Sequence, residues 1–228
     1  MCEHLDLDNW KAQADDIKAM AAENKLQLLS MEEAGLEEDR LMKAFEAGAG
    51  IGIPVINVGP GGKSDVEEDF VRQTDHIAKM AEKAASFGVT LCCKAHVGGS
   101  IYNTPTTVRA MKKITSAAFG VDMDPSHIYR AGEAPEKALP PVLSRVRHIH
   151  IRDCKGKGPG PGEPCDQACG RGEINLLAYC KAMVDGKYDG PVCLEIIGAG
   201  NYEIPRRDVI AAESYGYLNA CLRKLGAR

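Results

Sequence analysis

Short apolar runs alternate with longer amphipathic stretches along most of the chain. The runs predicted to form strands are 26–29, 53–58, 89–94, 119–124, 146–153 and 191–197. The stretches predicted to form helices lie near 8–23, 37–47, 64–87, 105–117, 135–143, 174–184 and 205–225. This alternation is typical of right-handed βαβ units and therefore predicts a parallel sheet.

Local signals indicate where three of the helices begin. Asp8 is predicted to cap the first helix, and residues 64–67, Ser-Asp-Val-Glu, have capping-box spacing before the third. Pro105 falls in the first turn of the fourth, where a missing N–H group costs nothing. These signals support the positions assigned to the helices between the strands.

The predicted strands are two fewer than the eight of a closed parallel barrel. Residues 2–5 are interpreted as the tail of a further strand, so we expect a TIM (β/α)8-type barrel that lacks its first βα unit in this chain. The chain 1–228 is predicted to be a single α/β domain. Strands left without a neighbour would expose edges, so the sequence allows a homo-oligomer.

Composition agrees with one globular domain, because 44% of the 228 residues are hydrophobic and 26% are charged. The formal net charge is −4 and no basic stripe is present, which argues against a nucleic-acid partner. No apolar run approaches the roughly 20 residues that span a bilayer, and no secretion signal follows the amino terminus. We therefore expect a cytoplasmic protein without a membrane partner, its nine cysteines reduced.

Ionisable side chains cluster at the carboxyl ends of four consecutive predicted strands, where parallel barrels carry out their chemistry. They are Lys94, Asp122, Asp124, His148, His150 and Glu195. An unpaired charge inside a barrel costs several kcal/mol, so groups in register here indicate a site. Asp124, His150 and Glu195 form a carboxylate–imidazole set suited to a divalent metal ion. His148 and His150 share one strand face, which also suits a pair of structural histidines.

Five segments together resemble the sugar phosphate isomerase/epimerase family, whose members have a xylose isomerase-like TIM barrel. They are KAHVGG at 94–99, DPSH at 124–127, HIHIRD at 148–153, GRGEI at 170–174 and CLE at 193–195. The resemblance covers about residues 26–225. It implies one divalent metal ion, commonly Mn, Mg, Co or Zn, held by a glutamate, an aspartate, a histidine and a second glutamate. The last three match Asp124, His150 and Glu195.

Lys94 stands where similar proteins have the first glutamate ligand. A charged ammonium has no lone pair, so it cannot bind a metal ion unless its pKa falls enough to release the proton. Three interpretations are open: His96 or a water molecule completes a shifted three-residue site, Lys94 is an acid or base beside the metal, or its charge replaces the ion by pairing with Asp124 and Glu195. The sequence favours the second, since lysines with a perturbed pKa suit proton transfer.

The predicted function is that of a metal-dependent isomerase or epimerase of a sugar, sugar phosphate or related polyhydroxy carbonyl compound. Glu195 would move a proton through an enediolate, and Lys94 would serve the opposite face. The side chains predicted to bind the carbohydrate are His96, His127, His148, Arg152 and Arg171. Alternatives are an inosose-dehydratase-like lyase and a non-catalytic sugar-binding barrel with a degraded metal site. Apurinic endonucleases use similar barrels, but their additional metal ligands and basic surface are missing here.

The stretch 154–172 is rich in glycine and proline, which bars regular structure. Because it follows the histidine strand, it is predicted to arch over the barrel mouth. The turn 58–64 contains glycines before Lys-Ser but lacks the first glycine of a P-loop, so it is predicted to be an ordinary βα turn.

Overall fold

A computed structural model describes residues 4–228 and shows one parallel sheet of six strands. The strands are β1 (Ser30–Glu32), β2 (Val55–Val58), β3 (Thr90–Lys94), β4 (Phe119–Met123), β5 (Val146–Ile151) and β6 (Val192–Leu194). Each strand pairs in parallel with the next along the chain. The sheet curls like part of a barrel, because Ser30 Oγ on β1 lies 3.1 Å from His148 Nε2 on β5. The predicted fold, a TIM-type barrel that lacks some of its units, is confirmed.

Helices connect successive strands and cover the outside of the sheet. Those within residues 4–228 are α1 (Trp10–Glu23), α2 (Glu38–Ile51), α3 (Glu67–Ser86), α4 (Thr104–Lys113), α5 (Pro125–Arg130), α6 (Pro135–Ala138), α7 (Leu176–Asp185) and α8 (Ile204–Lys224). Every residue of β2 and β4 is buried, as expected for strands covered on both faces. None of these helices has the length and apolar character that crossing a bilayer requires.

The first strand lies later than predicted. Leu26 and Leu29 are exposed and belong to no strand, whereas Ser30 pairs with Val55 and Glu32 with Asn57. The apolar residues of this run therefore do not mark the strand, and the pairing places a carboxylate at its end. In the interpreted strand tail at 2–5, residues 2 and 3 lie outside the described residues, and 4 and 5 form no strand.

Two predicted helix starts are wrong, and one is confirmed. No side-chain cap is present at α1 or α3: Asp8 pairs with Lys43, and Ser64 donates to the carbonyl of Gly99 at 3.1 Å. At α4, Pro105 occupies the first turn as predicted. The predicted helix at 135–143 ends at Ala138, because prolines at 140 and 141 cannot continue it. The eight cysteines within residues 4–228 are free thiols.

Candidate active site

The carboxyl ends of β3 to β6 meet at one end of the curled sheet. Strand pairing sets Lys94 beside Asp122 and Asp122 beside His148, so one layer of polar groups crosses three strands. Lys94 Nζ lies 3.3 Å from Glu195 Oε2, which follows β6, and 3.8 Å from Asp122 Oδ2. The ionisable groups that the sequence placed at separate strand ends are therefore close together.

Glu32, at the end of β1, is a member of this cluster that the sequence analysis missed. Its Oε1 lies 3.6 Å from Lys94 Nζ, and its Oε2 lies 3.5 Å from His150 Nε2. Burial raises the pKa of Glu32, although the Lys94 ammonium opposes the shift. A carboxyl group whose pKa is raised holds its proton more readily than an ordinary carboxylate, which suits it to proton exchange.

Lys94 is a permanent cation in this arrangement. Its side chain is 6% exposed, and burial alone would favour the neutral amine. The carboxylates of Asp122, Glu32 and Glu195 outweigh burial and raise the pKa of Lys94 to about 12. This direction is opposite to the lowering that a lysine base needs, so Lys94 is a donor of hydrogen bonds and positive charge at neutral pH.

Asp122 orients the two histidines of β5. Its Oδ1 lies 2.9 Å from His148 Nδ1, and its Oδ2 lies 2.7 Å from His150 Nδ1. Burial would raise the pKa of Asp122, but the hydrogen bonds from both histidines outweigh burial and hold it well below its ordinary value. Burial alone would lower the pKa values of both imidazoles, but their hydrogen bonds with Asp122 outweigh burial and raise both values. His148 is fully buried between Asp122 and Ser30, a position that suits a structural role.

Arg152 links two of the predicted metal ligands. Its Nη2 lies 2.6 Å from Asp124 Oδ2 and its Nη1 lies 2.8 Å from Glu195 Oε2, without hydrogen-bond alignment in either contact. Its Nε donates to Ser126 Oγ at 2.7 Å. Asp124 Oδ1 caps α5 by accepting from the Ser126 backbone at 2.8 Å. Burial would raise the pKa of Asp124, but the Arg152 charge helps to hold it at about 2.

A cavity of about 690 Å³ opens above these groups. It is lined by Glu32, Lys94, Arg152 and Glu195, by His96, His127 and Arg130, by glycines of the turns 59–62 and 97–99, and by 159–161 of the glycine- and proline-rich stretch. Arg130 holds that stretch by donating to the carbonyls of Gly158, at 3.2 Å, and Pro159. The predicted cover over the barrel mouth is thus present at 159–161.

The other residues predicted to bind substrate take different positions. The rings of His127 and His96 are in contact, with centroids 4.0 Å apart and planes tilted by 38°. Burial lowers the pKa of His127 to about 3, so its imidazole is neutral. Both rings line the cavity. Arg171 is exposed and pairs with Glu213 at 2.6 Å. Neither Arg171 nor His148 is part of the cavity lining.

Two groups of side chains among the described residues have potential ligand atoms within 4.8 Å of one another: Glu32, Asp122 and His150, and His148, His150 and Cys193. The predicted ligands Asp124 and Glu195 belong to neither group. In both groups the imidazoles already bond Asp122 through Nδ1.

The Lys94 ammonium opposes an ion in the first group. An ion bound to the Glu32 oxygen nearest Lys94 would lie within about 6 Å of the ammonium, and at an effective dielectric constant of about 20 the repulsion is at least roughly 5 kcal/mol. The predicted ligands Asp124, His150 and Glu195 do not fit the divalent ion that the resemblance implies either, because the Arg152 guanidinium already contacts Asp124 and Glu195.

Comparison with solved structures shows where this fold occurs. The D-psicose 3-epimerase from Clostridium cellulolyticum H10, solved with D-tagatose, superposes with a TM-score of 0.75 at 17% identity, covering 92% of this chain and 84% of that one. A structure of an IOLI protein with a bound zinc atom has a TM-score of 0.76 at 15% identity and covers 92% and 82%. At such low identity these similarities establish the fold alone.

Sequence comparison finds a short match and a long one. Inosose dehydratase from Bacillus thuringiensis (strain Al Hakam) is 25% identical over 89 residues, which are 39% of this chain and 30% of that protein. This match thus spans less than a third of the relative's length. The family model described as xylose isomerase-like TIM barrel matches residues 3–221. Since that model spans nearly the whole chain and its fold is the one observed, the protein belongs to the xylose isomerase-like TIM barrel family.

Proposed function

We propose that the protein is an enzyme that moves a proton beside the carbonyl group of a polyhydroxy compound, as a sugar isomerase or epimerase does. The observation that carries this proposal is the arrangement of Glu32 and Glu195, each within 3.6 Å of the Lys94 ammonium. All three side chains line one cavity. Two carboxylates beside a hydrogen-bond donor provide the groups that enolisation needs.

Each of these groups has a chemical task in the proposed reaction. The Lys94 ammonium donates a hydrogen bond to the carbonyl oxygen and stabilises the negative charge that develops there. Glu195 takes the proton from the adjacent carbon, and the raised pKa of Glu32 suits it to supply a proton from another position. An epimerase needs an acid or base on each face of the substrate, whereas an aldose–ketose isomerase can return one proton with a single group.

The remaining lining groups support binding and position. Arg152 lies against Glu195 and, through Asp124, is anchored to the start of α5, so it keeps the carboxylate of Glu195 directed at the cavity. His96 offers its Nε2 to substrate hydroxyl groups, whereas the ring nitrogens of the neutral His127 are engaged by the Val97 amide, at 3.3 Å, and by Arg152 Nη2, at 3.0 Å. Arg130 adds a positive charge to the same wall.

Relatives support the substrate class. Solved proteins of the same fold include D-psicose 3-epimerase and 3-keto-D-glucoside 4-epimerase, and the short sequence match is to inosose dehydratase. All three act on polyhydroxy carbonyl compounds or their derivatives. We therefore propose a small carbohydrate as the partner of the cavity. Cytoplasmic location and self-association stay predictions.

The proposal is tested by incubating the protein in D2O with a panel of ketohexoses, pentuloses and inososes and following each C–H signal by NMR. We expect one substrate to incorporate deuterium beside its carbonyl group. Glu195→Gln should abolish the exchange, whereas Glu213→Gln, at the surface pair with Arg171, should leave it unchanged. Binding of a sugar without exchange in any member of the panel would instead indicate a sugar-binding barrel.

Dehydration is a second candidate, favoured by the match to inosose dehydratase. A dehydratase takes the same proton but then expels a hydroxyl group one carbon further on, and Glu32, whose pKa burial raises, would protonate that leaving group. The NMR experiment separates the two reactions. An isomerase or epimerase returns a product that differs in composition only by the deuterium it has taken up, whereas a dehydratase yields an unsaturated or deoxy product that has lost one water.

A further inference from the structure

The carboxylates at the end of the sheet are all partnered by groups of this chain. Lys94 and Arg152 supply two fixed positive charges, and His148 and His150 supply ring N–H groups to Asp122. The carboxylates that receive these partners, at 2.6 to 3.8 Å, are Glu32, Asp122, Asp124 and Glu195. The cluster thus carries its own cations.

The Lys94 ammonium lies among carboxylates that come from three different strands. Its Nζ is 3.3 Å from Glu195, 3.6 Å from Glu32 and 3.8 Å from Asp122. Hard divalent ions are bound in proteins by such convergent carboxylate oxygens. A cation fixed to β3 therefore stands among oxygens of the kind that would otherwise bind a metal ion.

Arg152 supplies the second fixed charge. Its guanidinium contacts Asp124 at 2.6 Å and Glu195 at 2.8 Å, and its own side chain is 1% exposed. An ion that used both carboxylates would have to displace this guanidinium from a buried position. Breaking a buried ion pair leaves an uncompensated charge, which is strongly unfavourable.

We propose that the Lys94 ammonium is the working cation of this site and takes the place of the divalent metal ion that the family resemblance implies. This inference deepens the proposed function and rests on it for the role of the cation in catalysis. One N–H of Lys94 donates to Glu195 at 3.3 Å, whereas the contacts with Glu32 and Asp122 are longer than hydrogen bonds. N–H groups thus remain for a substrate oxygen.

The proposed step balances without a metal or a redox partner. The C–H bond breaks, its proton passes to Glu195, and its electron pair moves toward the carbonyl oxygen. The enediolate oxygen then carries the negative charge and accepts a hydrogen bond from the Lys94 ammonium. If Glu195 returns the proton to this carbon, the carbonyl group re-forms and Glu195 and Lys94 are in their starting states. If Glu32 supplies the proton from the other position, the configuration is inverted, and Glu195 and Glu32 recover their starting states by proton exchange with water.

The main test measures metal binding and needs no substrate. Elemental analysis of the full-length protein after dialysis, followed by calorimetric titration with MnCl2, gives the metal content and affinity of the parent. We expect the parent protein to contain much less than one ion per chain and to show no saturable Mn2+ binding. The Lys94→Glu variant, which restores the family's carboxylate, should bind about one Mn2+ per chain. Lys94→Met, the matched control, removes the charge without adding a ligand and should bind at least about tenfold more weakly.

Three results would overturn the proposal: a parent that retains about one ion per chain, saturable Mn2+ binding by the parent, or a soluble Lys94→Glu variant that binds no better than the parent. If Lys94→Glu does not fold, the parent titration and a chelator experiment decide. Deuterium exchange unaffected by EDTA supports the proposal, and exchange abolished by EDTA refutes it. A metal-free parent without any deuterium exchange would refute the proposed function but not the inference that Lys94 takes the place of the metal ion.

Discussion

The buried Arg152 contacts the partly exposed Glu195 at the edge of the cavity, with Nη1 2.8 Å from Oε2. The same guanidinium holds Asp124, which is fully buried. One side chain therefore fixes a carboxylate that faces the substrate and a carboxylate that caps the following helix.

Removing this guanidinium is expected to destabilise the protein strongly. Arg152→Met leaves Asp124 buried without its cation, and we expect the free energy of unfolding to fall by roughly 3–5 kcal/mol. Arg171→Met is the matched control, because Arg171 also pairs with a glutamate but at the surface, and it should cost less than about 1 kcal/mol. Urea unfolding of both variants measures the difference. Equal losses would contradict the role given to Arg152.

Acidification is expected to destabilise the native state partly through His127. Burial lowers the pKa of His127 from 6.5 to about 3. Between these values the unfolded state binds more protons than the native state, so stability is lost as the pH falls, by up to roughly 5 kcal/mol. His127→Gln lacks this component, so its free energy of unfolding should depend less steeply on pH over the same range.

Comparing parent and variant isolates His127. His148 and His150 have raised pKa values, so they act in the opposite direction, but they are present in both proteins. Urea unfolding at a series of pH values gives the two slopes. Identical slopes would show that His127 is not held neutral in the native state.

His148 and His96 were both predicted to bind substrate, and the structure leads us to expect different outcomes for them. His148→Ala removes a fully buried ring between Asp122 and Ser30 and should cost roughly 2–4 kcal/mol of stability. His96→Ala removes an exposed ring of the cavity lining and should raise KM with little change in stability. Thermal unfolding and the deuterium-exchange assay test both. A higher KM for folded His148→Ala would restore its predicted role.

The cover at 159–161 is expected to loosen when Arg130 is replaced. Arg130→Met removes the donors to the carbonyls of Gly158 and Pro159, so amide hydrogen exchange should accelerate over 155–162. Lys155→Met is the control in the same stretch, since its pair with Asp166 is exposed. Mass spectrometry measures the exchange. Equal exchange rates in the two variants would mean that Arg130 does not secure the cover.

The order of strands and helices was predictable because apolar strand segments and amphipathic helix segments alternate along the chain. This alternation is typical of parallel βαβ units. Boundaries were less predictable. The strand at 30–32 contains Ser30 and Glu32, whereas the more apolar Leu26 and Leu29 remain exposed. Burial in a parallel sheet is decided by the partner strand, which local hydrophobicity does not reveal.

The meeting of ionisable groups was predictable for the same topological reason, since parallel strands end at one edge. Their partners were not. Whether Glu195 faces a metal ion or Arg152, and whether Asp122 bonds both histidines, depends on side-chain directions across neighbouring strands. Glu32 was missed because its strand was placed too early. The interpretation that the Lys94 charge replaces the ion included Glu195 as a partner, but the sequence did not reveal that Glu32 and Asp122 lie beside the ammonium as well.

The ammonium of Lys94 among three carboxylates also bears on how such a site arises. Glutamate and lysine codons differ only in their first base, so a single nucleotide change exchanges a ligand for a cation. The other carboxylates can stay in place, since they attract either kind of positive charge. A protein that made this exchange would no longer depend on the metal supply of its cell, and a scarce metal would be a selective pressure for it.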